Sequence, residues 1–196
     1  MISSKRASAL LMAPAALLIL SGCALIEPAD TSEPPTAMQT CALGHTWQLD
    51  TVDLSEKLLV ELPIDGVPAT AVEPSGGQTL VWEETGAVTI DSDLEFTITA
   101  APAADQIYTL TQAYNGTVLG KALINVDVAI PRNWDVTDYE VETSAALNDE
   151  PLEAVPYVIP RSDFDDKLGL IITCEADIMT INPRGTDFIQ RWTKSS

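Results

Sequence analysis

Between Val118 and Ile130 every second residue is apolar or small: Val118, Gly120, Ala122, Ile124, Val126, Val128 and Ile130, with Thr117, Lys121, Asn125 and Asp127 among those between. A period of two puts successive side chains on opposite faces of an extended chain, so the pattern predicts one long strand with an apolar face and a partly wet one. Leu94, Phe96, Ile98 and Ala100 alternate with Glu95, Thr97 and Thr99 in the same way. Asn115-Gly116 lies between residues 106–114 and the long strand and predicts a tight hairpin that makes those two segments antiparallel neighbours. Further strands are expected at 45–51, 67–73, 78–84, 133–147, 168–175, 177–183 and 187–193. Turns are expected at Ser75-Gly76-Gly77, Asn148-Asp149-Glu150-Pro151 and Pro183-Arg184-Gly185.

One segment breaks the alternation. Leu54, Leu58, Leu59 and Leu62 fall at helical spacing, Asp53 and Glu56 form a capping-box-like start, and Pro63 limits the end. The expected fold is therefore mainly β: an antiparallel up-and-down barrel or strongly curved sheet of eight to nine strands, capped by one short N-terminal helix. A β-sandwich is the alternative.

The N-terminus carries an address. Lys5 and Arg6 precede an uncharged run over residues 7–20, which at about 14 residues is too short to span a bilayer and matches the layout of a secretory signal. Leu20-Ser21-Gly22-Cys23 follows directly and resembles the lipobox of the bacterial lipoprotein family. That resemblance implies a signal peptide over 1–22, diacylation of Cys23, and anchoring on the outer face of the cytoplasmic membrane. Two acyl chains give stable attachment where one is marginal. Residues 23–40 then read as the acylated cysteine and a flexible tether rich in Pro, Thr and acid, leaving a single β-rich domain over 41–196. Lipobox, tether, small β-rich domain and closing Arg191-Trp192-Thr193 together resemble a class of uncharacterised actinobacterial surface lipoproteins, which implies location and fold type only.

Composition narrows the partners. Loss of residues 1–22 removes Lys5 and Arg6 and no acid, leaving 29 Asp and Glu against 8 Lys and Arg, a formal charge of −21. Such a chain repels nucleic acid, and its folded part is expected to stand off anionic headgroups. Cys41 and Cys174 remain once Cys23 is set aside, and an even pair in an exported chain is expected to form a disulfide. Two cysteines and one histidine do not make a zinc tetrad, and no metal or cofactor is expected.

Gly44 and Trp47 on the first strand and Arg191 on the last resemble the lipocalin and calycin group, although two residues separate the glycine and tryptophan where the family has one. The resemblance implies that Trp47 packs under Arg191 and closes one end of a barrel. The plainer alternative is a core aromatic and a surface charge.

Catalytic signals are weak. His45 is the only histidine, no Gly-x-Ser-x-Gly elbow exists, and the acid groups Glu83-Glu84, Asp91-Asp93-Glu95 and Asp163-Asp165-Asp166 match no calcium loop. The chain is read as a non-enzyme and a monomer. If Val118, Gly120, Ala122 and Ile124 face inward, their small size leaves room for an apolar small molecule or lipid, unless Gly120 marks a bend. The alternatives are an interaction or structural module using an acidic outer face, and a carboxylate-dependent hydrolase.

Overall fold

The computed structural model describes residues 34–61, 66–153, 169–184 and 189–195. The expected anchor at Cys23, Leu62 and the acid group at 163–166 lie outside the described residues. Within them the chain is one antiparallel sheet: β1 (His45–Leu49), β2 (Ala69–Trp82), β3 (Ala87–Ala103), β4 (Gln106–Asn125), β5 (Val128–Leu147), β6 (Glu150–Pro151), β7 (Leu170–Glu175), β8 (Ile178–Pro183) and β9 (Gln190–Lys194). Spatial order is β4-β3-β2-β1-β9-β8-β7-β5-β6, and β4 also pairs with β5. That last pairing closes an eight-stranded ring, with β6 added outside it on β5. Closure removes the free edges that an open sheet would expose.

Among the described residues two helices accompany the sheet. α1 (Ala37–Ala42) starts at Thr36 with a capping box, in which Thr36 Oγ1 accepts from Gln39 N and Gln39 Oε1 accepts from Thr36 N. The expected tether thus becomes ordered before residue 41, and the compact unit begins at Pro35. α2 (Thr51–Glu61) is the helix that the leucine spacing predicts. Its cap is Asp50 rather than Asp53, with Asp50 Oδ1 accepting from Asp53 N. Leu54 and Leu58 are buried, while Leu59 is 39% exposed and falls outside the stripe. The helix packs on β2 and β9.

The strands are of two lengths. β1, β7, β8 and β9 have five or six residues; β2, β3, β4 and β5 have 14 to 20. The expected turn at Ser75-Gly76-Gly77 is not a turn: β2 runs straight through it, paired to β3 at Gly76↔Leu94. The hairpin expected at Asn115-Gly116 is absent too, since β4 is continuous there between β3 and β5. Both glycines kink a long strand. Gly76 has φ +71 and Gly116 φ +106, and a Cβ at either would lie 1.7 Å from Asp93 O or 1.8 Å from Asp138 O. Only glycine fits where the neighbouring backbone comes so close.

The real turn after β4 is Val126-Asp127, with Val126 at φ 59. The expected long strand at 118–130 is therefore two strands, and the inward face switches from even to odd positions: Val118, Ala122 and Ile124 are buried on β4, Ala129 and Pro131 on β5. Asn148-Asp149, both with positive φ, makes the expected turn before β6. The interior is one continuous core that includes Trp47, Trp82, Phe96, Leu110, Ile172, Met179 and Trp192, together with Leu54 and Leu58 of α2.

Candidate functional site

The barrel interior is packed. Val118, Ala122 and Ile124 face inward as the alternation requires, but Gly120 does not open a ligand space: a Cβ there would lie 2.4 Å from Trp134 Cε3. Glycine at 120 is thus accounted for by the indole lying against it. What remains is a cavity of about 30 Å³ lined by Gln78, Leu80, Trp82, Ala122, Trp134 and Trp192 among others. That is room for a water or two, far below the several hundred Å³ typical of ligand pockets.

The expected contact between Trp47 and Arg191 is not formed; a different cation stands over the ring. Trp47 is fully buried, its Nε1 donates to Ala42 O, and Lys194 Nζ stands 5.5 Å over its ring. Strand parity explains why the cation is Lys194 and not Arg191: the β1–β9 register pairs Trp47 with Lys194, whereas Arg191 lies one residue out of phase and meets Asp50 Oδ2 at 3.7 Å. The disulfide Cys41–Cys174 is formed, with Cα atoms 5.9 Å apart, and ties α1 to β7 across 133 residues of sequence.

His45 stands edge-on to Trp47 with ring centroids 6.1 Å apart. It borders a groove of about 420 Å³ with Gln39, Thr40, Leu43 and Glu84. Neither domain cysteine is a free thiol. No group of three or more His, Cys, Asp or Glu among the described residues is placed to hold a metal ion, and no described helix is long and apolar enough to cross a membrane.

The outer face of β3–β4–β5 carries the most organised polar pattern. Asp91, Asp93 and Glu95 project from β3, and Asp138, Glu140 and Glu142 from β5; all six are exposed. The register aligns them across β4 as Asp91↔Thr117↔Asp138, Asp93↔Asn115↔Glu140 and Glu95↔Ala113↔Glu142. Two rows of three carboxylates therefore flank a neutral strand. The rows are about 10 Å apart, two strand spacings, and each steps about 7 Å from one acid to the next. Thr117 Oγ1 donates to Asp91 Oδ1 at 2.7 Å. The ion pairs of the described residues, Lys57–Asp53 and Arg191–Asp50, involve none of the six. Beside Glu95 and Glu142 lies a groove of about 440 Å³, also lined by Thr111, Ala113, Thr143 and Ser144. The sequence carries half of this pattern openly in the 91–95 acids. The other half, at 138–142, shows the same period of two but sits among Tyr139 and Val141 and gains meaning only from the register.

Compared with protein families, curated proteins and solved structures, the chain finds no match in any of the three. The fold defines the class, an eight-stranded antiparallel barrel with an external acidic face.

Proposed function

We propose that the protein is a non-enzymatic interaction module of the cell envelope, held to the membrane through lipid on Cys23, whose acidic face on β3–β5 receives a basic, extended segment of a partner. The carrying observation is the pair of carboxylate rows flanking Thr117, Asn115 and Ala113. Their step of about 7 Å equals the distance between alternate side chains of an extended peptide. A strand with Lys or Arg at every second position laid along β4 meets acids on both sides. Six carboxylates on one sheet face, none in an ion pair among the described residues, repel one another, and a cationic partner relieves that repulsion. The reading that began with an apolar ligand in the barrel keeps only the tryptophan-lined cavity in its favour, and 30 Å³ does not hold a lipid chain.

Isothermal titration with a Lys-Thr repeat peptide at low and physiological salt tests the proposal. Binding is expected to weaken with salt and to disappear in Asp93→Asn/Glu95→Gln/Glu140→Gln/Glu142→Gln, while a quadruple change at Glu73, Glu83, Asp105 and Asp149 leaves it in place. Equal loss in both variants would show that overall charge, not the face, is responsible. Photo-crosslinking from position 115 in the native envelope then identifies the partner.

A further inference from the structure

We infer that α1 is a redox-sensitive clasp over the seam where the barrel closes, and that reduction of Cys41–Cys174 opens the barrel between β5 and β7. The inference concerns the barrel itself and depends neither on lipid at Cys23 nor on a partner of the acidic face.

The seam is the shortest join in the ring. Among the described residues β5 and β7 are registered at two positions, Val128↔Ile171 and Ala129↔Leu170, with one further bond from Ile172 N to Asp127 O at 2.8 Å. Every other neighbouring pair of ring strands is registered at three positions or more. Each ladder hydrogen bond adds a similar small net stabilisation, so the pair with the fewest is the first to part. The seam is also a wall of the tryptophan-lined cavity: Trp134 of β5 and Leu170 of β7 both line it, one from each side.

α1 holds both sides of this seam. Gln39 Nε2 donates to Ile124 O at 3.2 Å, on the β4–β5 hairpin where Ile124 pairs with Ala129. On the same helix Cys41 is bonded to Cys174 of β7, with Cα atoms 5.9 Å apart. One side chain thus reaches the hairpin and the other reaches β7, and the helix bridges the two strands whose own pairing is shortest. At six residues α1 is far below the roughly 12–15 that a helix needs to persist unaided. It therefore depends on its attachments, and among the described residues the disulfide is the covalent one. Buried Ala42, whose O accepts from Trp47 Nε1, is its other footing. Both cysteines are half-buried, within reach of a small dithiol. In the exchange a thiolate of the dithiol attacks one sulfur and its second thiol resolves the mixed disulfide. Cys41 and Cys174 leave as thiols, and the dithiol, having given up two electrons and two protons, becomes the disulfide. With the staple cut, α1 keeps Ala42 and Gln39 in place but no longer pins the hairpin to β7.

Native-state hydrogen exchange of the full chain, oxidised and in dithiothreitol, tests the inference. A disulfide that only restricts the unfolded chain changes every amide that exchanges through global unfolding by one common factor. A clasp adds a local effect. On reduction, exchange at residues 127–130 and at Ile172 should rise about fivefold more than at Leu94–Ile98 of β3, fivefold being about the worth of one hydrogen bond; those β3 residues are paired on both sides, to β2 and β4. Gln39→Ala in the oxidised protein removes the other arm with the staple intact, and it reads even if the reduced chain fails to fold. It should speed the same seam amides about fivefold and leave Leu94–Ile98 unchanged. Equal factors at the seam and at β3 in a reduced chain that stays folded overturn the inference. So does a seam indifferent to Gln39→Ala, whatever the reduced chain does.

Discussion

The long strands bend where glycine permits it, and Gly116→Ala tests that directly. Gly116 has φ +106, a conformation that costs an L-residue about 1–2 kcal/mol. The added Cβ would also stand 1.8 Å from Asp138 O, where real Cβ contacts below 3.0 Å essentially never occur. β4 and β5 must separate by more than an ångström, disturbing ladder hydrogen bonds worth about 1 kcal/mol each. Together these predict a loss of about 3–5 kcal/mol, a large share of the 5–15 kcal/mol typical of a domain. Gly66→Ala is the control. It has φ +82 with nothing within 4 Å of the new Cβ, so it carries the dihedral penalty alone and should lose about 1 kcal/mol. Urea unfolding followed by tryptophan fluorescence reads both. Losses that agree within about 0.5 kcal/mol would mean that close approach of the β5 backbone is not what fixes glycine at 116, and the account of the kinks would fail.

At Gly120 the same change should be milder, about 1–3 kcal/mol, because the obstacle is the half-buried Trp134 side chain, which can shift; a changed Trp emission spectrum would report that movement. Replacing Cys41 and Cys174 by serine should remove about 5 kcal/mol, the loop-entropy value for a separation of 133, and thermal denaturation with and without reductant measures it. Asp135 accepts from both the backbone N and the hydroxyl of Thr137, the hydroxyl bond having the larger effect, and its carboxyl is held below its ordinary 3.8. A depressed folded-state pKa gives stability that is present above the unfolded value and lost as pH falls through the folded one. Thr137→Val should raise the Asp135 titration toward 3.8 in carboxylate NMR, and an unchanged midpoint would discount the hydroxyl.

Period-two patterning made the β class and most strands legible, because burial on one face leaves a mark in any single strand. Turns were legible only where their residues are the usual ones. Asn148-Asp149 was readable, whereas Val126-Asp127 was not, since a valine at positive φ carries no turn signature. Asn115-Gly116 misled for the opposite reason: the freedom that suits glycine to a hairpin also suits it to a mid-strand kink, and only the contact with Asp138 O separates the two. At Gly120 the spacing leaves ligand room and a bend both open, because the sequence cannot show that Trp134, fourteen residues away and across a bulged pair, lies against it. The acidic face was half visible. Its second row required knowing that β4 lies between residues 91–95 and 138–142.

The distribution of side chains explains why the outside of this barrel, rather than its inside, is the place to look for activity. A barrel of eight strands has an interior just wide enough to be filled or to hold one small ligand. Here three tryptophans, Trp82, Trp134 and Trp192, meet at the remaining 30 Å³, and glycine at 120 makes way for one of them. Selection for a ligand cavity favours small inward residues that stay uncovered, which is the reverse of this arrangement. On the exterior, an even scatter of charge would suffice for solubility, yet six acids lie in two registered rows, with Lys121 and Arg132 paired about 13–20 Å further along the same strands. Loss of the acidic rows should abolish peptide binding, and loss of Lys121 and Arg132 should leave it intact. If instead the two changes altered binding by equal and opposite amounts, the rows would be expressing net charge and nothing more specific.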